Sequence, residues 1–222
     1  MKLLIALCIV ALAIPAFANE LKVPNNTDTA GVRVDCNVDG CDYTEMTVGV
    51  TIDAEGPYAY GPLATNGGCA ITNVVLAVDI VQTWCGDLVI DLYYDENNDG
   101  VYDFGPVSAL CRPALDGCAY DGCCGCSGDL AGVYTFGDDG ADPLGEVDCP
   151  AAIEPGCFLP AIESPAGFAD TFGGAAAGGS FYLEIADGAG GDATTLNAFG
   201  VYVCCGTTAT EDTNWSRVKT DY

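Results

Sequence analysis

An antiparallel β-sandwich or barrel is the fold that this chain predicts, and three observations carry it. Apolar and polar residues alternate in short runs rich in β-branched side chains. Turns rich in Gly, Asn and Asp separate those runs. Outside the first 18 residues, no stretch of ten or more keeps a helical period.

The elements follow in chain order. Lys2 and the apolar run Leu3–Ile14, too short to cross a bilayer, lead into Ala16-Phe17-Ala18, a small-x-small pattern. Residues 1–18 therefore read as a secretory signal cleaved after Ala18, with no membrane span in the rest of the chain. Residues 19–40, with Pro24-Asn25-Asn26, read as an extended polar leader, and 41–205 as the domain. Met46–Ile52 and Ile71–Val81 alternate as strands. Leu88, Ile90, Leu92 and Tyr94 share one face of the next strand, with Val89, Asp91, Tyr93 and Asp95 on the other. Asp99-Gly100 is a hairpin dipeptide that should return the chain through a strand at Val101–Phe104. Phe181, Leu183 and Ile185 alternate again, a Gly-rich turn spans Asp187–Thr195, and Phe199, Val201 and Val203 form the last strand. Residues 206–222 are a polar tail.

Charge and residue types exclude much chemistry. The chain has 32 Asp and Glu against 6 Lys and Arg, a formal charge of −26. Nucleic acid and anionic membrane are met with Lys and Arg, so neither is an expected partner. There is no His, which removes Ser-His-Asp and Cys-His catalysis, His-ligated zinc and haem on a proximal His. A hydrolase acting alone is not expected.

Of the 14 Cys, Cys8 lies in the signal, and the other 13 would meet an oxidising compartment where disulfides are the rule. Spacing suggests three local staples, Cys36 with Cys41, Cys111 with Cys118 and Cys149 with Cys157, although spacing does not fix connectivity. Cys123-Cys124-Gly125-Cys126 contains a C-x2-C pair but lacks a second ligand pair at zinc-ribbon spacing, so disulfides are expected there too. The odd total implies one thiol or one inter-chain disulfide.

Three blocks together resemble a known module. Thr83-Trp84-Cys85-Gly86-Asp87-Leu88-Val89-Ile90-Asp91-Leu92 resembles the "H-T-W-x-G-D-L-x-I-x-L" segment of the P domain (P/Homo B domain) of kexin- and furin-type proprotein convertases. Gly128-Asp129-Leu130 followed by Tyr134-Thr135-Phe136-Gly137-Asp138-Asp139 resembles that family's "G-D-x…T-F-D-D" stretch. Gly179 to Asp187, then Gly191-Asp192-Ala193-Thr194-Thr195-Leu196-Asn197 and Ala198-Phe199, resembles its closing strand, turn and strand. The blocks come in family order across about Cys41 to Cys205.

The resemblance implies a jelly-roll β-sandwich of the galactose-binding-like type, stapled here by disulfides. Gln82 stands where the family has His, Cys85 where it has a basic residue, and Phe181 and Phe199 where it has Trp. Asp95–Asp103 replaces the family's Ser-Pro-Ser-Gly turn, and the Cys-dense stretch Cys111–Cys126 has no counterpart in it. In convertases this domain packs on a subtilisin-like catalytic domain and stabilises it. Here a signal and a leader precede it, so the expectation is a stand-alone, secreted, non-catalytic module. A secreted subtilisin-like serine protease is one expected partner.

Asp95-Glu96-Asn97-Asn98-Asp99-Gly100-Val101-Tyr102-Asp103 is a D-x-N-x-D-G-x-x-D loop. Alternate side-chain oxygens there can converge on a hard cation, so Asp95, Asn97, Asp99 and Asp103 are the candidate calcium ligands. It is not an EF-hand, because Pro106 holds the twelfth position, where a bidentate Glu belongs. The alternative is an Asx-rich hairpin turn. Asp138, Asp139, Asp142, Asp187 and Asp192 form further acidic groups that read as turn formers. An extracellular glycan is the rival ligand, with Tyr58, Tyr60, Tyr120 and Trp84 as candidate platforms. Trp84, inside the fold motif, reads as core, and the Gly56-Pro57 to Gly61-Pro62 segment as a loop.

Overall fold

The structure, a computed structural model, describes residues 36–52, 56–111, 127–144, 151–161, 164–188 and 193–206. The signal, most of the leader, the tail, Cys118 and the Cys123–Cys126 cluster lie outside the described residues. In order, the strands are β1 (Cys41–Ile52), β2 (Tyr58–Ala64), β3 (Ile71–Gln82), β4 (Leu88–Asp95), β5 (Phe104–Leu110) and β6 (Asp129–Phe136). There follow β7 (Ala152–Ile153), β8 (Cys157–Phe158), the helix α1 (Phe168–Phe172), β9 (Ser180–Asp187) and β10 (Thr194–Cys205).

The protein is all-β, built of two sheets. One runs β1-β10-β3-β6, with the short β7 and β8 both parallel on β6. The other is antiparallel throughout, β2-β9-β4-β5. Between the sheets lies a single apolar cluster, to which β3 gives Val74, Leu76, Val78 and Ile80 and β4 gives Leu88, Ile90, Leu92 and Tyr94. The period of two read in the sequence is thus the period of burial. Phe181 and Phe199 are 0% and 1% exposed and bring two aromatic rings into this core. Eight strands divided four and four between the sheets fit the jelly-roll expectation, with β7 and β8 as additions.

Two segments differ from expectation for the same reason. Gly56–Pro62 belongs largely to β2, the edge strand beside β9, and is not a loop. Proline lacks an N–H and is tolerated where no neighbour needs one, at a sheet edge. Pro106 likewise sits in β5, the opposite edge of the same sheet. The returning strand begins at Phe104, because Val101–Asp103 stay in the hairpin loop. There the Asp103 N–H donates to the Tyr94 carbonyl and the Asp103 carboxylate accepts the Glu96 N–H, each at 2.9 Å.

The disulfides correct the spacing argument. Cys36 pairs with Cys157, Cys41 with Cys204, and Cys69 with Cys205, separated by 121, 163 and 136 residues. Neither Cys36–Cys41 nor Cys149–Cys157 is therefore a staple. Register explains it: Cys41 stands opposite Cys204 in the β1–β10 ladder. Cys204 and Cys205 are consecutive and point to opposite faces, so one meets β1 and the other meets the segment before β3. Cys111 is also disulfide-bonded.

Candidate functional site

The D-x-N-x-D-G-x-x-D loop joins β4 to β5. Asp95, the last residue of β4, is wholly buried beneath it. Its two carboxylate oxygens accept the N–H groups of Asp99 (3.2 Å) and Gly100 (2.8 Å). Asn97 Oδ1 accepts the Asp99 N–H at 2.9 Å, and Asp99 Oδ1 accepts the Val101 N–H at 2.9 Å. Each is an Asx-type turn, which is why short acidic and amide side chains fill this loop. Asn98 takes a positive φ of 59° and Gly100 one of 85°, the left-handed region that Asn and Gly tolerate best. Asn98 then reaches across to β9: its Nδ2 donates to the Gly178 carbonyl at 3.1 Å and its Oδ1 accepts the Ser180 hydroxyl at 2.6 Å.

All four candidate ligands therefore lie in one loop, with Asn97 and Asp99 exposed and Asp95 buried beneath them. The donors are all hard oxygens, the set that a calcium ion takes. Their oxygens are engaged in part with backbone N–H groups. Among the described residues, the set of three Cys, Asp and Glu ligand atoms within 4.8 Å of one another is Cys36, Asp139 and Cys157. Two of those atoms are the sulfurs of a disulfide, which removes them as thiolate ligands.

The other acidic groups have structural work. Both oxygens of Asp138 cap the start of α1, accepting the N–H groups of Phe168 (2.8 Å) and Ala169 (2.7 Å). Asp139 accepts the Asn37 N–H at 2.7 Å, tying the leader's end to the β6 turn. Asp187, 1% exposed, accepts Gln82 Nε2 at 3.2 Å and the Thr194 hydroxyl at 2.9 Å. Gln82 thus belongs to a buried polar network. Asp142 is exposed on its turn, and Asp192 lies outside the described residues.

Of the glycan candidates, Tyr58 is 42% exposed on β2, while Tyr60 packs against the core. Trp84 is a correction: at 37% exposed it stands on the surface, beside the 3-10 turn Cys85–Asp87. That turn buries Cys85 in its place and swings the preceding residue outward. Tyr120 lies outside the described residues. Among the described residues, Cys85 is a thiol and is buried. It is 1% exposed, so it offers no sulfur to another chain, and burial pushes its pKa up to about 11.

The alternation argument also left unread the outward face of the four-stranded sheet, where Asp91, Tyr93, Tyr182 and Glu184 gather. The signal was present in the polar partners of the alternating strands, but pairing them requires the register.

No family model and no curated protein matches the chain. Two solved structures are similar to it: a serine protease of Aeromonas sobria, and the Aeromonas sobria serine protease in complex with the chaperone ORF2. Each is 15% identical with a TM-score of 0.38, over 73% of this chain and 26% of the other. The chain thus spans about a quarter of the length of either protease.

Proposed function

We propose that the protein is a secreted, non-catalytic binding module of P-domain type whose β4–β5 loop holds calcium. The loop's organisation carries the reading of the site. Asp95 is fixed and buried at the strand end, and Asn97, Asp99 and Asp103 follow at alternate or near-alternate positions around Gly100. Calcium would be held by the carboxylate and amide oxygens that the turn hydrogen bonds leave unused. It would offset the repulsion among Asp95, Asp99 and Asp103 and so stabilise the hairpin. The resemblance blocks supply the module class, and the absence of His supports a role without catalysis. Bridged cysteines across long separations suit export to an oxidising compartment. Among the described residues, no helix is long and apolar enough to cross a membrane.

Thermal unfolding with and without calcium tests the site. Saturating calcium should raise the melting temperature by several degrees, since about 2.7 kcal/mol accrues at a hundredfold excess over Kd. Asp99→Ala should remove that shift, while the calcium-free melting temperature falls only by the loss of one exposed turn hydrogen bond, from Val101 N–H to Asp99 Oδ1. No shift at saturating calcium ends the calcium reading.

A second reading follows from the same resemblance, an accessory role for a separate secreted subtilisin-like protease. Co-purification with such an enzyme from culture medium supports it. Retention on an insoluble polysaccharide, lost in Tyr58→Ala, would favour a carbohydrate-binding or adhesive role.

A further inference from the structure

Three buried polar side chains at one end of the sandwich meet on a single carboxylate oxygen, and the calcium loop uses none of them. Gln82 ends β3, Thr194 begins β10, and Asp187 ends β9 in the facing sheet. They are 1%, 0% and 1% exposed. The β3–β10 ladder pairs Ile80 with Leu196 and Val81 with Thr195, so one step further Thr194 falls opposite Gln82. Side chains directly opposite on neighbouring antiparallel strands are within reach of each other. Oδ2 of Asp187 accepts the Thr194 hydroxyl at 2.9 Å and Gln82 Nε2 at 3.2 Å. Gln82 Oε1 accepts the Thr83 N–H at 2.9 Å.

These are the parts of an acyl transfer. A hydroxyl becomes a nucleophile when a base within hydrogen-bond reach takes its proton. Asp187 stands at that reach from the Thr194 oxygen and, through the same Oδ2, from the nitrogen that would leave. The Thr83 N–H points at the oxygen where negative charge develops as the Gln82 carboxamide carbon becomes tetrahedral. Burial contributes twice. It holds nucleophile and acyl carbon in one fixed arrangement, which replaces a chance encounter. It also keeps out the water that would compete with the hydroxyl or hydrolyse the product. Hydrogen bonding alone would be served by many polar trios, whereas this one joins a nucleophile, an acyl carbon and a base.

We propose that Thr194 and Gln82 join in an ester cross-link, formed once per chain by the protein on itself. The Thr194 oxygen bonds to Gln82 Cδ while Asp187 takes the hydroxyl proton. The Cδ–Nε2 bond then breaks, Asp187 returns the proton to the departing nitrogen, and one ammonia leaves. The balance needs no oxidant and no second substrate. The link fastens one end of the β3–β10 ladder, and Cys69–Cys205 fastens the other, where Cys205 stands opposite Ile71. It is independent of the calcium reading, since none of these residues is a candidate ligand of that loop.

Mass spectrometry of the full chain, folded, then reduced and denatured, tests it. The wild type should be lighter than its sequence requires by the mass of one ammonia. Peptide mapping should recover one species that joins the peptide of Gln82 to that of Thr194, and hydroxylamine should cleave it as it cleaves an ester. Thr194→Val removes the nucleophile and should show the full sequence mass. Asp187→Asn removes the base, leaves both partners in place and should also show the full mass. Thr194→Ser keeps a hydroxyl and should still form the link, which separates loss of chemistry from loss of fold in the valine variant. A folded wild type of full sequence mass would overturn the proposal. So would an ammonia loss that persists in Thr194→Val or maps away from these two residues, or a link that forms undiminished in Asp187→Asn. Hydrolysis of the Gln82 carboxamide to a carboxylate would overturn it too, because water and not Thr194 would then be the nucleophile.

Discussion

The three bridges with both cysteines among the described residues fasten the six-stranded sheet, whereas the four-stranded sheet, apart from the disulfide at Cys111 just past β5, is fastened by hydroxyl groups and a folded loop. Cys41–Cys204 bridges β1 to β10, Cys69–Cys205 ties the other face of β10's end to the approach to β3, and Cys36–Cys157 anchors the leader at β8. In the second sheet Asn98 spans from the β4–β5 loop to β9, and the buried Tyr94 hydroxyl binds the turn that leads into β9. The edges differ as well. Both edge strands of the four-stranded sheet contain a Gly-Pro pair, which leaves each edge short of a donor. The edge strand β1 instead carries a bulge between Thr47 and Val50, with Gly49 at a positive φ of 66°. Cross-links restrain the unfolded chain, while hydroxyl networks order only the folded one. Removing one named bridge and substituting single hydroxyl groups should therefore separate the two sheets.

The largest effect is expected from the covalent side. Replacing Cys41 and Cys204 together by Ala should lower stability by about 2–5 kcal/mol, read from urea unfolding, because the bridge closes a loop across most of the domain. The loss should be the same with and without calcium. A calcium-dependent loss would mean that the bridge supports the hairpin loop as well.

Next in size is an alkaline effect at the junction of the two sheets. The Cys85 N–H donates to the Gly128 carbonyl at 3.0 Å, linking the approach to β4 with the approach to β6. Burial raises the Cys85 pKa from its ordinary value near 9 to about 11, so the folded state holds the thiol proton more tightly than the unfolded state. The sign follows: this stabilisation is complete below about pH 9 and is lost as pH rises through about 11. Relative to Cys85→Ala, the wild type should lose roughly 2–3 kcal/mol between those limits. A parallel pH dependence in the two proteins would show that the thiol is not the titrating group.

These differences mark what was legible in the sequence. The strands were, because alternation in Ile71–Val81 and Leu88–Tyr94 is itself the burial pattern. Tyr94, Phe181 and Phe199 were readable as inward-facing on the same ground. The bridges were not, since Cys41 and Cys204 meet only through the register of strands at opposite ends of the domain. β2 was hidden by Pro57 and Pro62, which argue against a central strand yet are tolerated at an edge. The carboxylate loop was visible as a spacing, but the burial of Asp95 beneath it was not. The Asp91–Glu184 pair is a further case of register, two ordinary acids in sequence that become opposed charges in the sheet.

The smallest effect compares like with like, one buried tyrosine hydroxyl on each sheet. In the four-stranded sheet Tyr94 donates to the Ala176 carbonyl at 2.7 Å and accepts the Gly179 N–H at 2.9 Å. In the six-stranded sheet Tyr134 donates to the Ile153 carbonyl at 2.6 Å and accepts the Ala131 N–H at 3.0 Å. Burial raises the pKa of both phenols, so each remains a neutral donor at physiological pH. Tyr94→Phe and Tyr134→Phe should each cost about 1–3 kcal/mol, since each strands a donor and an acceptor in the interior. Their second effects should diverge. Tyr94 holds the turn whose Gly178 carbonyl receives Asn98, so its loss should loosen the β4–β5 loop and shrink the calcium-induced rise in melting temperature. The Tyr134 hydroxyl is held instead by Ala131 and Ile153, and its variant should keep the full rise. Equal calcium responses in the two variants would show that the loop is set by its own Asx turns and owes nothing to the strand beneath it.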